Sequence, residues 1–166
     1  MDYDLIIIGA GPAGYVAAIR AGQAGLKTAV IEKKHVGGMC LNWGCIPSKA
    51  MLESAKYFSR LGMAADFGVE GIDPKSLKFS WEKGVKRSER IVRRLTKGVE
   101  YLLKKNNVET ISGTASVEAA DTVVVDNRML KTKNIIIATG SYPRPLPFKV
   151  GDESRIINLE NMFSQK

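Results

Sequence analysis

Cysteine and histidine are scarce in this sequence: two cysteines and one histidine among 166 residues. Two thiols are too few for the disulfide-stapled scaffold of a small secreted domain. A structural zinc site takes four ligands, and with only His35 near the cysteines that count is not reached. Aromatic residues make up only 7% of the chain, and the apolar run at residues 5–8 is far too short for a membrane span or a signal-peptide core. The opening "MDYD" carries two acids in place of a basic leader. There is neither an internal repeat nor a low-complexity tract. These absences predict a soluble protein of the cytoplasm with no membrane partner. With 45% hydrophobic residues, the chain can bury one good core, so it is a single domain or part of one.

The charge is lopsided. Between Lys75 and Lys105 there are eleven Lys or Arg against Glu82, Glu89 and Glu100, which alone accounts for the formal net charge of +8. Within that stretch Val85, Ile91, Val92, Leu95, Val99, Leu102 and Leu103 recur at steps of three and four, as on a helix with one buried face. A long amphipathic helix with a solvated basic side is therefore predicted over roughly 80–105. A nucleic-acid surface is disfavoured, because no zinc-finger, RNP-type or helix-turn-helix signature accompanies the charge. Docking on an acidic protein surface is the third reading.

The order of elements is α/β. Residues 4–8 and 28–31 read as buried strands on either side of a helix at 12–24, with glycine-bearing turns between them. A loop holding Gly37, Gly38 and Gly44 precedes a helix at 48–61, with Pro47 in its first turn. The stretch "GMAADFGVEGIDP" is irregular, with room for a short strand. Short strands are predicted at 108–112, 115–118 and 122–125, and a buried one at 135–138 that ends in "ATG". Three prolines between 141 and 148 make an extended loop.

The first chemical motif is "DLIIIGAGPAGYVAAIRAG", with Gly9, Gly11 and Gly14 in the pattern G-x-G-x-x-G between a strand and a helix, and Glu32 ending the next strand. The glycines permit a tight turn, backbone approach to a pyrophosphate and close helix packing, while the helix N-terminus stabilises phosphate charge. Glu32 is placed to accept hydrogen bonds from an adenosine ribose, and an acid there disfavours a 2′-phosphate. From this motif alone FAD and NAD are equally served.

The second motif, "GGMCLNWGCIPSK", contains both cysteines. Inert buried thiols, a metal site and a working dithiol are the three readings. The spacing allows a bridge, because Asn42, Trp43 and Gly44 can turn the chain so that the two β-carbons approach. Cys45 directly precedes a predicted helix start, where the macrodipole stabilises negative charge.

"GGMCLNWGCIPSKAML" closely resembles the redox-active segment of the flavoprotein disulfide reductases, and "CLNWGCIPSK" is most similar to their dihydrolipoyl dehydrogenase branch. Glutathione and mercuric reductases share the spacing but usually have Val after each cysteine. The resemblance runs on through "GPAGYVAAIRAGQAGLKTAVIEK", "SGTA" and "IIIATGSYPR". It implies a Rossmann-like FAD-binding domain in three layers, with a parallel sheet plus a small antiparallel β-meander. It also implies that Cys40 exchanges with the dithiol substrate, Cys45 lies against the flavin, and Lys49 approaches the flavin. By the same resemblance Gly9, Gly11, Gly14 and Glu32 hold the pyrophosphate and ribose of FAD, and Ala115, Thr139 and Gly140 line the adenosine side. The expected reaction is oxidation of dihydrolipoamide, free or on a lipoyl-bearing protein, with NAD⁺ as acceptor in a homodimeric full-length enzyme. The alternatives are a reductase of the mercuric or glutathione type and a non-catalytic FAD- or adenine-nucleotide-binding module.

Two departures from the family pattern stand out. Met39 replaces the usual Thr before the first cysteine, which removes one polar phosphate contact. There is one glycine fingerprint and not two, "VGDES" lacks the context of the family's later flavin-binding strand, and no His-Glu pair follows. Residues 1–166 are therefore expected to be the N-terminal FAD-binding portion of a larger reductase, without its NAD-binding and dimerisation domains and without turnover of their own. His35 is expected to be a surface residue.

Overall fold

Every residue of β1 (Tyr3–Ile8) is buried except Asp4, which is half-buried, and in β2 (Thr28–Glu32) only Glu32 is not fully buried. Such continuous apolar strands belong in the middle of a parallel sheet covered on both faces. In the computed structural model, which describes residues 1–144, 147–148, 156–159 and 161–164, they do. The six-stranded sheet has the order β3-β2-β1-β6-β5-β4, with β3 at Glu109–Ser112, β4 at Ala115–Ala119, β5 at Thr122–Val125 and β6 at Arg128–Ile137. β1 runs parallel to β2 and β6, and β2 parallel to β3; β6, β5 and β4 form an antiparallel meander.

The helices are α1 (Pro12–Gln23), α2 (Gly38–Asn42), α3 (Cys45–Gly62) and α4 (Trp81–Lys105). Leu5, Ile7 and Val30 on one face of the parallel sheet pack with Ala18 and Ala21 of α1 and Val99 and Leu103 of α4. Ile6, Ile8 and Ile31 on the other face pack with Val123, Val125 and Leu130 of the meander. The result is three layers (helices, parallel sheet, meander), as expected. Alternate side chains of β1 thus serve two separate cores.

Several boundaries differ from the sequence reading. β6 is ten residues long, not the four at 135–138: its first half pairs with β5 and its second half with β1, so one strand belongs to both parts of the sheet. The loop expected around Gly37 and Gly38 contains α2, and α3 starts at Cys45, three residues before the expected 48. Instead of a short strand, the region after α3 has 3-10 turns at Ala64–Phe67 and Pro74–Ser76. α4 begins one residue after Ser80, whose hydroxyl accepts the Lys83 amide, and ends at Lys105 as expected. Part of the proline-bearing stretch and the whole of "VGDES" lie outside the described residues.

Candidate functional site

The site lies where β1, β2 and β6 end together. The Gly9 amide donates to the Ile31 carbonyl at 2.7 Å, and the Ala138 amide to that of Ile8 at 2.8 Å, which fixes the three strand ends side by side. Gly9 has φ +101°, a conformation that L side chains rarely adopt, and a Cβ there would collide with the Ala138 carbonyl. Gly14 is buried in the first turn of α1, where a Cβ would overlap the Gly9 carbonyl oxygen. Gly11 is the N-cap of α1, and no side chain caps the helix. An uncapped N-terminus approached only through glycines leaves room and positive dipole for a phosphate. That cradle fits the pyrophosphate of a dinucleotide.

Glu32 occupies the end of β2, half-buried. Its Oε2 accepts the Ala10 amide at 2.8 Å, and its Oε1 accepts the amides of Lys34 at 2.9 Å and His35 at 3.4 Å. The carboxylate therefore clamps the glycine turn to the loop after β2, a second task that the sequence reading missed. Each oxygen has capacity for a further donor such as a ribose hydroxyl.

The cleft over this cradle has a volume of about 280 Å³. It takes in Gly9, Gly11, Glu32, Cys40, Thr139 and Gly140 from the residues singled out in the sequence. Gly14 supports it from beneath. Ala115, half-buried in β4 opposite Val125, packs with the meander core and is not part of the lining. Cys45 and Lys49 are exposed on the first turns of α3, also outside the lining.

Lining residues not identified beforehand include Lys33, Trp43 and Tyr142. His35 is exposed, as expected, but it also lines the cleft and meets Trp43 edge-on at 5.9 Å between ring centroids. The Lys33 ammonium lies 5.2 Å from the centre of the Tyr142 ring. No sequence pattern marks these residues, because they converge from separate loops. Met39, at the position where a threonine was expected, also lines the cleft.

The dithiol is built by two short-range contacts. α2 carries Cys40 and α3 opens with Cys45, with Trp43 and Gly44 between them. A Cβ at Gly44 would come within 2.8 Å of the Met39 carbonyl oxygen and 3.1 Å of the Cys40 Cα, so the fold of the two helices needs glycine there. Cys40 is half-buried and Cys45 exposed, both as thiols. The hydrogen bond with Cys45 pushes the Cys40 pKa up, burial adds to this, and the positive charge of Lys49 works in the opposite direction. The two thiols thus influence one another's protonation. Among the described residues no group of His, Cys, Asp and Glu is arranged to hold a metal ion.

Comparison with known proteins bears on this arrangement. A family model described as pyridine nucleotide-disulphide oxidoreductase matches residues 3–165. The chain is 51% identical over 140 residues to a dihydrolipoyl dehydrogenase of Acholeplasma laidlawii, covering 84% of this chain and 41% of that protein. It is 49% identical over 146 residues to the dihydrolipoyl dehydrogenase of Mycoplasma genitalium, covering 88% of this chain and 32% of that one. With the Zymomonas mobilis dihydrolipoyl dehydrogenase it shares 44% over 150 residues, 87% of this chain and 32% of the relative. The chain thus spans 32–41% of the length of these relatives.

Proposed function

The chain belongs to the pyridine nucleotide-disulphide oxidoreductase family, and on that premise we propose that it is the FAD-binding part of an enzyme that oxidises dihydrolipoamide through Cys40 and Cys45. The observation that carries this reading is the interacting pair of thiols set directly beside the glycine cradle. Gly9, Gly11 and the first turn of α1 hold the pyrophosphate, with Gly14 making the close packing possible. Glu32 holds the ribose, and Thr139, Gly140 and Ala115 are assigned to the adenosine side.

In the oxidised protein the two sulfurs are joined. A substrate thiolate attacks Cys40, and the Cys45 sulfur leaves with the electron pair of the broken bond. The second substrate thiolate then attacks the substrate sulfur of the mixed disulfide, so that lipoamide closes and Cys40 leaves reduced. Two thiols become one disulfide in the substrate as one disulfide becomes two thiols in the protein. The position of Cys45 at the N-terminus of α3 stabilises the charge it acquires. A bound FAD, held by the glycine cradle and Glu32, would supply the two-electron acceptor that links the dithiol to NAD⁺. Lys49 is the cation at the flavin end of the dithiol. The proton of the attacking thiol needs a base that the described residues do not supply, since His35 is turned against Trp43. That base, the NAD⁺ site and the dimer contacts are assigned to the remainder of a longer, homodimeric enzyme.

The test is turnover by the full-length, FAD-loaded enzyme with dihydrolipoamide and NAD⁺, against oxidised glutathione or Hg²⁺ with a nicotinamide donor. Dihydrolipoamide-dependent NADH formation, lost in both Cys40→Ser and Cys45→Ser, is expected. Preference for glutathione or mercuric ion would reassign the substrate, and FAD binding without any turnover would leave a binding module.

A further inference from the structure

The basic residues of α4 form a continuous stripe. Lys83, Arg87, Arg90, Arg94 and Lys97 follow one another at steps of four, three, four and three, which places them along one face of the helix. At about 1.5 Å per residue the row extends for roughly 21 Å. The side chains of Lys83, Arg90, Arg94 and Lys97 are exposed and have no ion-pair partner among the described residues. Elsewhere on the helix, Lys86 pairs with Glu82 at 2.5 Å and Arg93 with Glu89 at 3.4 Å. Like charges on successive turns repel one another, so the row stores potential that an opposite charge would relieve.

The stripe is tied to the dithiol helix. Arg87 donates to the Ala50 carbonyl at 2.9 Å, and the Ser88 hydroxyl donates to the Pro47 carbonyl at 3.5 Å. Both acceptors lie within the first two turns of the helix that Cys45 opens. The positive row therefore runs alongside the first two turns of α3, antiparallel to it, from the Met51 side toward the end that Cys45 opens.

We propose that this face of α4 docks an acidic surface on the lipoyl-bearing carrier protein that delivers the dithiol to Cys40. The inference rests on the function proposed above. Charge complementarity selects an acidic partner, and the anchoring of Arg87 and Ser88 on α3 sets that partner where its reactive arm is needed. A nucleic acid fits less well. No zinc-finger, RNP-type or helix-turn-helix signature accompanies the stripe. Attraction of this kind acts mainly on the encounter rate and weakens as salt is added.

The experiment compares the full-length, FAD-loaded enzyme with its Arg90→Gln/Arg94→Gln/Lys97→Gln variant, using free dihydrolipoamide and a recombinant, reduced lipoyl domain of net negative charge. A Lys27→Gln variant, off the stripe, controls for net charge, and circular dichroism checks the fold. The triple variant should lose at least tenfold in kcat/KM for the lipoyl domain and most of its dependence on ionic strength, with free dihydrolipoamide oxidised as before. Unchanged lipoyl-domain kinetics beside normal oxidation of free dihydrolipoamide would overturn the docking face alone. Equal losses on both substrates, or in the Lys27 control, would overturn it too. Absence of turnover with either substrate in the unmodified enzyme would overturn the function it rests on as well. Retention of duplex DNA that the triple variant loses, with carrier kinetics unaffected, would reassign the stripe to polyanions.

Discussion

Gly38 faces Gly11 so closely that a Cβ on Gly38 would lie 2.7 Å from the Gly11 Cα. This glycine-to-glycine contact lets the helix that carries Cys40 rest directly on the turn at the head of α1. The dithiol and the dinucleotide cradle are joined there backbone to backbone, and no side chain intervenes.

Gly38→Ala should therefore damage both parts at once. Its φ of +58° adds about 1–2 kcal/mol of backbone strain for an L residue, before any displacement of the Gly11 turn. Lower stability in a urea titration and weaker FAD retention on dialysis are expected together. A variant that kept its flavin at unchanged stability would show that the two helices can separate at no cost.

Glu32 supports two expectations that differ by substitution. Glu32→Ala leaves the Ala10 amide without its acceptor and removes the ribose acceptor as well; a hydrogen bond to a charged group contributes about 1.5–3 kcal/mol. Glu32→Gln keeps one oxygen acceptor but loses the charge and the second acceptor. Titration with FAD should rank the affinities as Glu, then Gln, then Ala. An Ala variant that bound as tightly as the parent would remove Glu32 from the site.

The two cysteines should be separable by spectroscopy. In a flavin-loaded, two-electron-reduced enzyme, Cys45→Ser should abolish the long-wavelength thiolate-to-flavin band, whereas Cys40→Ser should keep it. The opposite result would exchange their roles. In the reduced protein without flavin, Cys40 should react with iodoacetamide at a midpoint above the usual thiol range, because the hydrogen bond it donates to Cys45 and burial both favour its protonated form. Cys45→Ala should lower that midpoint and Lys49→Ala should raise it. The sign for stability follows: the proton is held more tightly in the folded state, so this contribution is present below the unfolded thiol's pKa and is lost as the pH rises through the folded value.

Tyr3 gives a test independent of cofactor. Its hydroxyl donates to Glu109 Oε2 at 2.6 Å, linking β1 to β3 past β2, and its pKa is pushed up to about 12, by burial first and the Glu109 hydrogen bond second. Ultraviolet titration should find one tyrosine ionising well after the others. Stability due to this group should be intact below the ordinary phenol pKa and should fall as the pH approaches 12. Tyr3→Phe should remove the late titration and cost about 1 kcal/mol.

Much of this arrangement was legible in residue order. Runs such as "LIII" and "TAVI" could only be strands covered on both sides, and the three- and four-residue steps from Val85 to Leu103 marked α4 to within a residue of its start. The glycine spacing located the cradle. What escaped notice did so for physical reasons. α2 has five residues, too few for a helical period to show, and it opens on two glycines with positive φ that read as loop. In β6 the stretch "KTKN" looks like a turn, although Thr132 is fully buried between exposed lysines in the alternation of a strand. The clamp by Glu32 on Ala10 crosses 22 residues, a separation over which no local pattern carries information.

β6 has a consequence for how the molecule comes apart. A strand whose first half closes the meander and whose second half borders β1 cannot release one partner without loosening the other. The two sheet regions should then open as a single cooperative unit. In hydrogen exchange, the amides of β5 and those linking β6 to β1 should share one opening free energy and one response to denaturant, although they lie at opposite ends of the strand. A substitution in the meander, such as Leu130→Ala, should therefore be felt at the Ala138 amide beside Gly9, so that the meander acts as a remote tensioner of the cleft.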